Sequence, residues 1–231
     1  MTKPIGRFRG PSLTFLAAAH ILIFLGGLVA ATTLRKGPGY VNPFAPAEAV
    51  RLFVAQSPLA MRLGGFFLFG SAVPLGIFAV TVVSRLRHLG VRAAGTNIAL
   101  LGGMAAANAL FLSGIAASIL SDPDVAASSA VVKAVTLFNF LTGGVFYAVG
   151  FGLMAAGVSI TCHFTRLLPR WLVALGLVVA IAGELSWFSL VAYPANFFIP
   201  ITRFVGFLWM ILAALALRRD RRMAGETAAA G

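Results

Sequence analysis

The sequence predicts an all-α protein, a polytopic transmembrane bundle of six spans with no soluble domain, and three observations carry that expectation. Of its 231 residues, 60% are hydrophobic and only 10% are charged, and the mean hydropathy is +0.96. A soluble domain carries about 25% charged residues, so most of this chain belongs in lipid. Six stretches reach the ~20 apolar residues that a helix needs to cross a ~30 Å hydrocarbon core. Finally, the basic residues fall in short clusters between those stretches, the pattern of membrane-orienting charge.

The first span, 12–34, follows a basic segment with Lys3, Arg7 and Arg9. A secretory signal has an apolar region of only ~7–15 residues, so this longer run is expected to remain as a membrane helix. The other spans are expected at 61–83, 96–120, 134–160, 171–193 and 201–217, in a single transmembrane domain covering 1–231. Between the first two lies an outer loop, 35–60, whose Gly37-Pro38-Gly39, Asn42-Pro43 and Pro46 deny it regular structure. Its end, 47–56, reads as a short helix with Pro46 near the start and Val50, Phe53 and Val54 on one side, resting at the lipid headgroups in preference to the alternative, a lid on a binding site. Ser121-Asp122-Pro123-Asp124 stops one helix and starts another.

Twelve of the 18 Lys and Arg residues fall on one side of these spans, which places both termini in the cytoplasm. The net charge of +12 does not point to nucleic acid, because no continuous basic stripe with interleaved aromatics exists. A single cysteine, Cys162, excludes an internal disulfide and any multi-cysteine metal or iron-sulfur site. Abundant Ala, Gly and Arg fit a bacterial inner membrane.

Glu184 is the sharpest chemical lead, being the one acidic residue inside an apolar run. A charge at such depth costs roughly 2.5–3.5 kcal/mol on insertion scales, so it should face protein or water and have a partner. It lies about 20 Å along the helix from Trp171, in the outer half of the fifth span. Gly176, Ala180 and Gly183 form a small-residue stripe beside it, fit for close helix approach. Arg203, across a short connection, is the expected ion-pair partner, with Arg62 a second candidate. Paired, Glu184 is a structural clasp; without a cation it is a proton- or ligand-binding group.

Three other residues, His20, Asn108 and Asn139, complete the candidate site. His20 sits inside the first span with Gly27 on its face, and no second intramembrane histidine is present to complete a haem site. Asn97 and Asn108 share a face of the third span, and Asn139 precedes Gly143, Gly150 and Gly157, which recur every seven residues. Close packing and interhelical hydrogen bonds are the simplest use of these groups. A polar cavity lined by His20, Asn108, Asn139 and Glu184 is the alternative. Pro74 cannot donate to the carbonyl of Gly70 and should kink the second span. A weak internal likeness links Gly64-Gly65 in the second span to Gly143-Gly144 in the fourth, as a duplicated hairpin would.

No HExxH, GxSxG, Walker A lysine motif or pair of intramembrane carboxylates is present, so hydrolase, ATPase and two-metal readings lack support. No lysine lies within a span to hold retinal. No metal or cofactor is expected.

Several stretches together resemble a known group. They are Phe69-Gly70-Ser71-Ala72-Val73-Pro74-Leu75-Gly76, the segment 84–92 (Ser-Arg-Leu-Arg-His-Leu-Gly-Val-Arg), Leu167-Leu168-Pro169-Arg170-Trp171-Leu172 and Gly183-Glu184-Leu185-Ser186-Trp187. The group is an uncharacterised family of small bacterial integral membrane proteins, mostly of six helices, defined by a domain of unknown function. The resemblance implies the span count and a bacterial inner membrane, and it brings no catalytic residue. Two function classes follow: a non-enzymatic membrane component, self-associating or a subunit of a larger complex, and a small-solute or proton-coupled permease using Glu184. The first is preferred.

Overall fold

A computed structural model of the protein describes residues 10–37 and 41–229, with side chains through Leu217 in the last helix. The basic N-terminal segment, Pro38-Gly39 and the side chains of the C-terminal arginines lie outside those descriptions. The described chain is helical without strands. Six helical stretches are long and apolar enough to cross a membrane: Leu13–Thr33, Pro58–His88, Ala94–Ile119, Ser129–Thr165, Arg170–Leu190 and Tyr193–Leu217. This is an integral, multi-pass membrane protein.

The elements follow one another simply. Helix α1 is Leu13–Thr33, α2 is Ala47–Gln56 and α3 is Pro58–His88. Helix α4 is Ala94–Ile119, and α5, Pro123–Ala126, is one turn capped by the Asp122 carboxylate. The fourth span is built from α6, Ser129–Phe140, a π-helical segment Leu141–Phe146, and α7, Tyr147–Thr165. Ser128 caps its start by accepting from the Val131 N–H. Next come α8, Arg170–Leu185, and two 3₁₀ segments, Ser186–Leu190 and Tyr193–Phe197. The chain closes with α9, Phe198–Pro200, a π-helical segment Ile201–Val205, and α10, Gly206–Ala229.

The spans exceed the apolar runs at several ends. Helix α3 runs on to His88 because its basic last turn can leave the hydrocarbon while the backbone stays helical. It ends with Gly90 at φ 85°, where the Val91 N–H reaches the Leu86 carbonyl and the Gly90 N–H reaches that of Arg87. That pair of bonds closes a helix whose next residue is left-handed, a conformation costless only for glycine. The segment between the fifth and sixth spans, expected to be plain connection, is wound into the 3₁₀ turn Tyr193–Phe197. Pro194 suits it because a first-turn proline has no hydrogen bond to lose.

The described residues gather into two compact units. One comprises the chain up to Ala18, Pro74–Ala106 and the chain from Ala148 onward; the other comprises Ala19–Val73 and Ala107–Tyr147. In the first, α4 and α7 touch backbone to backbone. A Cβ on Gly150 would stand 2.6 Å from the Ala106 nitrogen, and one on Gly157 would stand 2.5 Å from the Ala99 nitrogen and from the Gly95 carbonyl oxygen. The stripe on α8 does the same: a Cβ on Gly183 would meet the Ala148 carbonyl oxygen at 2.6 Å and the Gly152 Cα at 2.8 Å. Trp209, fully buried, stands edge-on to Phe151 and fills the space beside Gly176.

In the second unit, glycines of two helices lean on α4. A Cβ on Gly65 would lie 2.6 Å from the Gly114 carbonyl oxygen, and Gly143 is set against the side chain of Ser113. The two similar glycine motifs therefore serve the same purpose, letting α3 and the fourth span approach α4. Helix α2 covers this unit by burying Val50 and Val54 against Leu120 and Val132.

Candidate functional site

The second unit contains a chamber of about 210 Å³ beneath α2, lined by Phe53 and Val54 of α2, Met61 and Gly64 of α3, and Thr136 and Asn139 of α6 among others. Its walls are apolar because α2 turns Val50 and Val54 inward against Leu120 and Val132, where the sequence favoured that face resting on the lipid headgroups. The strap before α2 is held by Lys133, whose Nζ donates to the carbonyls of Pro43, at 2.7 Å, and Ala45. Nothing in the sequence marks Lys133 for this task; it reads as an end-of-span charge.

Asn139 is fixed by Ser113, whose Oγ donates to its Oδ1 at 3.0 Å. That bond occupies the acceptor end and leaves the amide NH₂ without a partner among the described residues. The π-helical segment begins two residues later, at Leu141. Such segments are frequent at functional sites, since they shift one backbone bond out of register. An apolar chamber with one amide donor pair can orient a small molecule through a single oxygen.

His20 is fully buried, and its Nδ1 donates to the Ser71 carbonyl at 2.9 Å. That bond assigns the proton to Nδ1. Its acceptor lies three residues before Pro74, in the stretch where the proline weakens the carbonyl ladder of α3. The helix itself continues through Pro74 without a break. His20 thus reinforces α3, the packing role expected of a lone histidine in a span.

Asn108 is exposed on α4, and its side chain has no hydrogen-bond partner among the described residues. The sequence pattern places it with Asn97, and Asn97 is also exposed, accepting from Arg87 Nη2 at 2.5 Å. The expectation of a shared face holds, while the expectation that Asn108 lies inside a polar cavity does not. The inward face of α4 is taken by glycine and alanine in contact with the neighbouring helices, which turns Asn108 outward.

Glu184 and Arg203 belong to the first unit. Glu184 stands in the last turn of α8, two residues before Ser186, where the chain tightens to 3₁₀ winding. Its Oε1 is buried with no hydrogen-bond partner, and Glu184 makes no ion pair among the described residues, where Arg51–Glu48 at 2.6 Å is the ion pair present. Arg203 is engaged by other groups. The π-helical winding of Ile201–Val205 changes the direction in which Arg203 leaves its helix compared with a regular α-turn. The alternative partner, Arg62, donates from Nε to the Ser121 hydroxyl at 3.4 Å within the second unit. Asn196, on the 3₁₀ turn facing the Ser186–Leu190 segment, adds a buried amide with neither end bonded. No sequence signal marks Asn196, which falls in the short connection between the fifth and sixth spans.

Among the described residues no three His, Cys, Asp or Glu side chains group as a metal site. No family model matches the chain, and no curated protein or solved structure matches it.

Proposed function

We propose that this chain is a non-enzymatic component of a bacterial inner membrane that assembles laterally, with a second copy of itself or as a subunit of a larger membrane complex, and has both termini in the cytoplasm. The observation that carries this reading is the exposure of Asn108 near the middle of α4. It lies ~21 Å from the start of a helix ~38 Å long, a depth at which lipid offers no hydrogen bond. Leu112, Ile115 and Ile119 continue the same exposed face at 40–47% exposure, spaced four, three and four residues from Asn108 onward. That is the seam spacing of paired helices, and asparagine presents both a donor and an acceptor, so two copies satisfy each other across a two-fold axis. The arginine asymmetry in the sequence supports the orientation.

The test is the oligomeric state of the full chain in mild detergent by native mass spectrometry. The wild type is expected as a dimer or a larger complex, and Asn108→Leu as a species with weakened association. An interhelical asparagine bond is worth about 0.6–2 kcal/mol in membranes, or roughly a threefold to thirtyfold change in dissociation constant. A wild-type monomer without partners would count against the reading, as would an Asn108→Leu protein that associates as before. Fusions of a periplasm-active reporter to each terminus test the orientation, and activity at either end contradicts it.

A second reading, a small-solute or proton-coupled permease, is favoured by one observation: the Oε1 of Glu184 is buried without a protein donor. A structural clasp with Arg203 would have supplied one. In proteoliposomes, Glu184→Gln should fold and lose proton-coupled uptake; unchanged flux rules out the role.

A further inference from the structure

The turn between the fourth and fifth spans encloses a cleft of about 560 Å³ lined by His163, Phe164, Arg166, Leu168, Pro169 and Arg170. Its lining contains basic side chains and no acid. Arg166 is held at φ 56°, the one non-glycine residue with a positive φ among the described residues. It closes α7 as Gly90 closes α3: the Leu167 N–H bonds the Cys162 carbonyl at 3.1 Å and the Arg166 N–H that of His163 at 3.3 Å. Glycine adopts this conformation without strain, and the chain uses glycine for the same job at Gly90. At Arg166 the backbone carries the strain, and what arginine adds there is a basic residue in the lining of the cleft.

The surroundings agree with an anion. Helix α8 opens directly after the cleft with Pro169 at its cap and no side chain covering its first N–H groups, which adds a partial positive charge. Phe164 is 81% exposed and Trp171 59% exposed, on either side of the turn. Aromatic rings in such positions sit at the boundary of headgroup and hydrocarbon.

We propose that this cleft binds a phosphate oxyanion, and that its source is the headgroup of an anionic glycerophospholipid in the leaflet at this turn. Arg166 and Arg170 hold the phosphate through guanidinium hydrogen bonds, which suit the tetrahedral oxyanion geometrically. Phe164 and Trp171 lie along the glycerol and upper acyl region. A free phosphate ion would use the arginines but gain nothing from the two rings.

The experiment is native mass spectrometry of the full chain in neutral detergent with added phosphatidylglycerol or phosphatidylcholine of identical acyl chains. Phosphatidylglycerol is expected to be retained preferentially. Arg166→Gly should reduce that preference by roughly fivefold, the size expected for one basic side chain near a membrane anion. Because glycine relaxes the left-handed residue, the variant should melt no lower than the wild type, so lost binding cannot be blamed on misfolding. Arg170→Gln, which leaves the backbone unchanged, should lower the preference similarly. Equal retention of the two lipids overturns the proposal, as does undiminished preference in both variants. Displacement of phosphatidylglycerol by millimolar inorganic phosphate would assign the site to a free anion and overturn the lipid source.

Discussion

Gly150→Ala tests whether the α4–α7 contact depends on backbone approach. The new Cβ would lie 2.6 Å from the Ala106 nitrogen, 3.0 Å from the Gly102 carbonyl oxygen and 3.1 Å from the Ala105 carbonyl carbon. All three are main-chain atoms of one helix, so no side chain can turn aside, and the two helices must part by several tenths of an ångström. Overpacking of this kind costs about 1–3 kcal/mol, and a radial gap of 0.5–1 Å forfeits a quarter to a half of each affected dispersion contact. Alanine is the better helix former by about 1 kcal/mol, which offsets part of the loss. The net expectation is a destabilisation of up to about 2 kcal/mol, or a fall in melting temperature of up to about 8 °C for a chain of this size. The control is Gly26→Ala, whose Cβ would meet nothing nearer than the Phe67 ring at 3.6 Å. It should keep or slightly raise the melting temperature. Both variants can be followed by intrinsic fluorescence during heating in detergent. If Gly150→Ala melts with the control, close backbone contact is not what holds these helices.

Three further outcomes follow from hydrogen bonds outside that contact. Lys133→Met removes the donor from the Pro43 and Ala45 carbonyls, so hydrogen exchange in 41–50 should accelerate while exchange in α4 stays unchanged. His20→Phe keeps an aromatic ring but leaves the Ser71 carbonyl without its donor; a loss of about 1–3 kcal/mol is expected in thermal unfolding, and no loss would mean the bond is idle. On α2, the hydrogen bond from Arg51 holds the Glu48 carboxyl below the usual carboxylate range, with the charge of Arg51 adding to it. The support this gives α2 is present above the ordinary carboxylate pKa and lost as pH falls through the lowered one, so acid should loosen α2 in the wild type and not in Glu48→Gln.

Hydropathy made the six spans legible, because the demand for ~20 apolar residues is one that few other structures share. The helix 47–56 and the helix stop and restart at Ser121-Asp122-Pro123-Asp124 were legible for local reasons, apolar spacing in one and turn-forming residues in the other, though the capping role of Asp122 itself came from the folded chain. The glycine stripes announced close contacts without naming the contacting helix. Gly143, Gly150 and Gly157 all face α4, and only the folded chain says so. Asn108 was misplaced because periodicity gives a face but not what covers it. Sequence spacing put Arg203 within reach of Glu184 but left open whether it turns inward, and the π-helical segment that holds Arg203 shifts the direction of its side chain in a way no spacing shows. The strained Arg166 had no sequence signal, since a left-handed arginine looks like any other basic residue at the end of a span.

The backbone contacts between α4 and α7 also constrain how this sequence can drift. Where two side chains meet, a larger one can be exchanged for a smaller one across the interface. Gly95, Gly102, Gly150 and Gly157 have no side chain to trade, so a gain on one helix has no matching reduction on the other. In a set of related sequences these positions should stay small together and show no paired change. A glycine held fixed there would report geometry and not chemistry, and a search for function by invariance would need to set those positions aside before turning to Arg166 or Asn108.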